Sequence, residues 1–117
     1  NRVMKEKPGD EQAVTRIFQL ALGRAPSADE SKQCLDHWQK MTQRHEGIHF
    51  DKPTYPKHVT REAVEENTGS KFTFEESLDA YADFVPDLKP ADADARTRGL
   101  AEVCIAILNS NEFAYVY

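Results

Sequence analysis

Apolar positions recur at helical spacing in three stretches of the chain. The first runs from about Glu11 to Leu22, where Val14, Ile17, Phe18, Ala21 and Leu22 share one face. Asp10 is placed to cap its start, and Gly23 to supply the left-handed residue that ends it. Ala25-Pro26 then imposes an extended link, because the ring disfavours a helical residue before it. Ser27-Ala28-Asp29-Glu30 has the spacing of a capping box. Beyond it Cys34, Leu35, Trp38, Met41 and His45 form a second stripe that fades near Gly47. A short loop between two such segments predicts a helical hairpin. The third stretch carries Leu100, Val103, Cys104, Ile107 and Leu108 on one face, with Asp92 or Asp94 as its cap. Gly99 costs such a helix about 1 kcal/mol relative to alanine, so tight packing against a neighbour is the expected reason for it.

The intervening residues read differently. Pro53 and Pro56 make Phe50 to His58 an irregular connection. In VTREAVEENTGSKFTFEE, Phe72 and Phe74 alternate with polar residues and Gly69 marks a turn, which predicts a small hairpin. Ala63 and Val64, set among three glutamates, also suit a helical turn, so the first arm is the weaker half of that pattern. Glu75 to Phe84 reads as a short helix presenting Leu78, Tyr81, Ala82 and Val85, stopped by Pro86. The tail from Asn109 to Tyr117 is apolar enough to pack back onto the helices. The fold expected is mainly α with a small β-hairpin: a helical hairpin and two further helices, the C-terminal one central.

Composition narrows the function more than it defines it. A length of 117 residues, 39% of them apolar, suits one domain spanning 1–117. No apolar run approaches the roughly 18 residues that a membrane helix needs. Fifteen basic against twenty acidic side chains give a net charge of −5, which argues against a grip on nucleic acid or anionic lipid. Cys34 and Cys104 form no C-x-x-C pair and lie on apolar stripes, so buried, unreactive thiols are expected. Should the second and last helices pack face to face, a disulfide is the alternative. No signal peptide is visible after Asn1, and the opening reads as the interior of a longer protein.

The segments FQLALGRAPSADE, VEENTGSKFTF and VPDLKPADADARTRGLAEVCIAILNSNEFAYVY resemble a C-terminal planctomycete-specific domain of unknown function. The resemblance covers nearly the whole chain and is densest after Arg61. It implies the C-terminal module of a large exported bacterial protein, periplasmic or on the cell surface. Many such proteins carry a cytochrome c-like haem domain near their N-terminus. It implies no catalytic residue and no cofactor in this domain, and as partners the other domains of the parent or another protein.

One motif carries sharper chemistry. His45-Glu46-Gly47-Ile48-His49 matches H-E-x-x-H, in which two imidazoles on one helix face hold zinc and the glutamate serves as general base. That reading, a zinc-dependent hydrolase with His45 and His49 as ligands and Glu46 as base, needs a helix continuous through His49. It also needs a third ligand, for which His58, Glu62, Glu65 or Glu66 would have to serve, since the extended pattern has Tyr55 where a histidine belongs. A helix ending at Gly47 removes its basis. The acidic groups around Glu62 to Glu66 and Asp83 to Asp94 lack the EF-hand loop pattern, so capping and solvation account for them. The remaining candidate surface is the aromatic tail, Phe113, Tyr115 and Tyr117, at which another domain would dock.

Overall fold

The computed structural model describes residues 1–6 and 9–115. It divides into two compact units, Lys52–Leu88 and the rest of the chain. The larger unit is helical: α1 (Arg2–Glu6), α2 (Asp10–Leu22), α3 (Ala28–Glu46), α4 (Ala95–Leu108) and α5 (Asn111–Ala114). The smaller holds an antiparallel hairpin of β1 (His58–Val64) and β2 (Lys71–Ser77) and a single 3-10 turn at Asp79–Tyr81. The fold is therefore mainly α with a small β-hairpin.

Local signals set the helix ends. Gly23 adopts φ 71° and closes α2, a conformation that costs glycine little because it has no Cβ. The Ser27 hydroxyl accepts from the Glu30 backbone N–H while the Glu30 carboxylate accepts from the Ser27 N–H, completing the capping box of α3. Asp94, not Asp92, caps α4; the hydroxyl and backbone N–H of Thr97 hold its carboxyl below the usual range. Asp92 instead accepts from the Lys89 N–H and closes the short turn before α4.

Asp10 departs from its expected role. Gly9 is the capping position of α2 and Asp10 its first helical residue. Its carboxylate there favours the positive helix end and pairs with Arg96 at the start of α4. This pairing is invisible locally, since 86 residues separate the partners.

The ends of the helices give their directions. Asp10 at the start of α2, Glu46 at the end of α3 and Arg96 at the start of α4 border one groove. At the opposite end Arg24, just after α2, bridges Glu30 in the first turn of α3 and Glu112 in α5. The three long helices thus alternate in direction around one core. That core takes Ala13, Val14, Ile17 and Phe18 from α2, Trp38 from α3, and Leu100, Val103 and Ile107 from α4. Helix α4 packs against α2, α3 and α5.

Trp38 alone is fully buried from the predicted α3 stripe; Cys34 and Leu35 pack at the edge of the core. Gly99 is buried where α4 meets α3, and a Cβ on it would lie 2.8 Å from the Thr42 backbone nitrogen. The close approach expected from sequence is therefore present. Helix α1 is an addition to the predicted elements. Val3 and Met4 pack on the core, and Arg2 pairs with Glu6 one turn on.

In the smaller unit, the register sets Val59 opposite Glu76, Arg61 opposite Phe74 and Ala63 opposite Phe72. Glu65 builds the turn, accepting from the backbone N–H groups of Asn67 and Thr68 and from both their side chains. These bonds, the Thr68 hydroxyl first, hold its carboxyl low. Gly69 supplies the left-handed residue, with φ 72°.

The helix expected over Glu75–Phe84 is absent. Strand pairing takes Glu75, Glu76 and Ser77, which bind opposite Thr60, Val59 and His58. Too few residues then remain before Pro86 to repay helix nucleation, and only the 3-10 turn forms. Tyr81 and Phe84 instead cluster with Tyr55, with ring centroids 5.0 to 6.0 Å apart.

The Arg24 cluster makes an acid-stability prediction. Arg24 forms paired hydrogen bonds with each carboxylate, at 2.6 and 2.9 Å to Glu30 and 2.6 and 2.7 Å to Glu112. Arg24 first, then the Ser27 backbone, hold the Glu30 carboxyl at about 2. A carboxyl depressed in the folded chain adds stability above its ordinary value of 4.5, lost as pH falls toward about 2. These side chains are more than a third exposed, so water screens the gain. Urea midpoints of wild type and Arg24→Ala should differ most near neutral pH and converge across that acid window. A gap constant with pH would mean that Arg24 acts through packing alone.

Candidate functional site

The H-E-x-x-H segment lies where α3 stops. Glu46 is the last helical residue and Gly47 the C-cap, with φ −85° and ψ 0°. The Ile48 N–H turns back onto the His45 carbonyl at 3.2 Å, and residues 48 to 50 run on without helix. His45 and His49 therefore do not share a helix face.

Each imidazole has its own carboxylate. His45 Nε2 lies 3.2 Å from Glu102 Oε1 on α4, and the ring is mostly buried. The ring also neighbours Phe50, with centroids 6.3 Å apart. Arg98 stacks on that same Phe50 ring at 5.0 Å and donates to the His45 carbonyl at 3.1 Å. His45 so serves as one part of a clasp holding the end of α3 to the start of α4. His49, 88% exposed, lies beside Asp51 with Nε2 3.1 Å from Oδ1. Glu46 lines the same groove as Asp10 and Arg96.

Among the described residues, no three His, Cys, Asp or Glu side chains converge where they could hold an ion. Two of the supplementary ligands named from the sequence are engaged within the hairpin. Glu65 is committed to the hairpin turn, and His58 Nδ1 faces the Ser77 hydroxyl across the strands at 3.3 Å. That serine–histidine pair escaped the sequence reading because it depends on strand register. Both groups are exposed, and among the described residues only this contact orients the imidazole, so the third group that makes a serine nucleophile is lacking among them.

No family model, curated protein or solved structure matches the chain.

The thiols of Cys34 and Cys104 are free and half-buried. Burial pushes both pKa values up, so each stays protonated and poorly nucleophilic near neutral pH. The aromatic tail divides. Phe113 on α5 is 43% exposed and borders an apolar groove of about 230 Å³ with Val3, Leu20 and Leu108. Tyr115 is 60% exposed. Tyr117 lies outside the described residues. No helix among those residues is long and apolar enough to cross a membrane.

Proposed function

We propose that this chain is a non-catalytic structural or protein-interaction module, working within a larger exported bacterial protein. The observation that carries the reading is where the reactive side chains are spent. His45 ties α3 to α4, Glu65 and Asp94 cap backbone, and the cysteines are held as thiols. Large apolar side chains meanwhile face water on both units, among them Phe72, Phe84, Leu88 and Phe113. Surface of that kind suits burial against a partner. Export and the larger parent rest on the family resemblance of the sequence.

The rival, a zinc hydrolase, makes a separate and direct demand. Tag-free protein incubated with a modest excess of zinc and then desalted should retain no stoichiometric metal by mass spectrometry. One zinc per chain, lost in both His45→Ala and His49→Ala and accompanied by hydrolysis of a peptide substrate, would overturn the non-catalytic reading.

A further inference from the structure

We propose that the aromatic face of the β-hairpin docks a cationic protein surface, one that offers lysine or arginine around an apolar patch. This rests on the interaction-module reading and names the chemistry of the partner. The pairing of β1 with β2 puts Val59 and Ala63 on the same face as Phe72 and Phe74. The two phenylalanine rings lie 6.1 Å apart, tilted by 36°, and are 49% and 44% exposed. Arg61 and Glu76 complete that face and neutralise each other, Nε to Oε2 at 2.5 Å. The face itself is therefore apolar and without net charge.

The net charge of the unit that carries it selects the occupant. Residues 52 to 88 hold eight acidic against four basic side chains, a net −4 of the chain's −5. A second copy of this unit would bring like charge against like. The helical unit of another copy, at −1 by difference, offers no positive field either. Anionic lipid and nucleic acid are repelled for the same reason. A surface of positive charge gains from the field and can cover the rings. The hairpin has reason to accept such cover, because none of the described residues from 52 to 88 is buried, and two-stranded sheets are marginal alone.

The test uses the full 117-residue chain and three fluorescent peptides of equal length, read by anisotropy. One alternates lysine with valine, one alternates glutamate with valine, and one alternates lysine with serine. The lysine–valine peptide should bind saturably and roughly tenfold or more tighter than either other peptide. Its affinity should fall as salt rises from about 50 to about 300 mM. Phe72→Ser with Phe74→Ser should weaken it roughly tenfold. Glu62→Lys with Glu75→Lys lies on the opposite face of the hairpin, clear of both rings, and brings the unit from −4 to neutral; it should weaken the lysine–valine peptide and strengthen the glutamate–valine one.

Equal binding of all three peptides, or none at all, would overturn the proposal, as would indifference to both variants. Self-association that salt strengthens, seen by sedimentation velocity, would assign the face to a second copy instead. The zinc measurement is independent of these outcomes, so the module reading can stand when this surface assignment falls.

Discussion

Trp38→Ala is expected to lower the stability of the fold by about 3–5 kcal/mol, the largest loss from any single truncation described. Trp38 is 3% exposed and is the fully buried contribution of α3 to the core. Its indole N–H donates to the Arg96 carbonyl at 2.8 Å, and the Arg96 guanidinium lies over the ring, 4.7 Å from its centroid. Truncation removes the ring, the hydrogen bond and the platform for Arg96 together. Domains of this size have total stabilities of only about 5–15 kcal/mol, so the loss is a sizeable share of the total. Trp38→Phe keeps most of the packing and should cost nearer the value of one hydrogen bond, about 1 kcal/mol. Urea midpoints followed by circular dichroism separate the two, fluorescence being unsuitable because Trp38 is the sole tryptophan. Equal midpoints for the two variants would mean that the core closes over the site.

Gly99→Ala is expected to destabilise as well, against the preference of an isolated helix. Alanine would gain about 1 kcal/mol in helix propensity. Its Cβ, however, would stand 2.6 Å from Thr42 Oγ1, 2.8 Å from Thr42 N and 3.1 Å from Thr42 Cα. The hydroxyl can rotate away, but the backbone atoms can yield only if α3 and α4 separate. Overpacking of this sort costs about 1–3 kcal/mol, which outweighs the propensity gain. In a Thr42→Ala background the loss should shrink without vanishing, since two of the three close atoms remain. A higher thermal midpoint for Gly99→Ala would show that the helices approach less closely than described.

What could be read along the chain was whatever depends on neighbours in sequence. Gly23, the Ser27–Glu30 box, Asp94 and Gly99 each act within a turn or through an evident cost, and each occupies its expected place. Phe72 and Phe74 likewise announced a strand by alternation. The misreadings have a common cause in distant partners. Glu75 to Ser77 look helical until β1 binds them. Asp10 looks like a cap until Arg96 arrives from α4, and the bridge from Arg24 to Glu112 spans 88 residues. The H-E-x-x-H match shows the same limit from the other side. Its letters are linear, while sharing a ligand requires a helix, and α3 ends between the two histidines.

The clasp at Arg98 also bears on how the chain could be rearranged. Phe50 lies beneath the guanidinium and the Pro90 carbonyl accepts from it at 3.0 Å. The points where the chain leaves the helical bundle and returns to it therefore flank one side chain. In topological terms residues 52 to 88 form a cassette between adjacent stems. Closing a loop of that length, against one of a few residues, adds only about 2 kcal/mol. The bundle can thus tolerate shortening, lengthening or exchange of the cassette at modest cost, and the exposed face of the hairpin can diversify without redesign of the core.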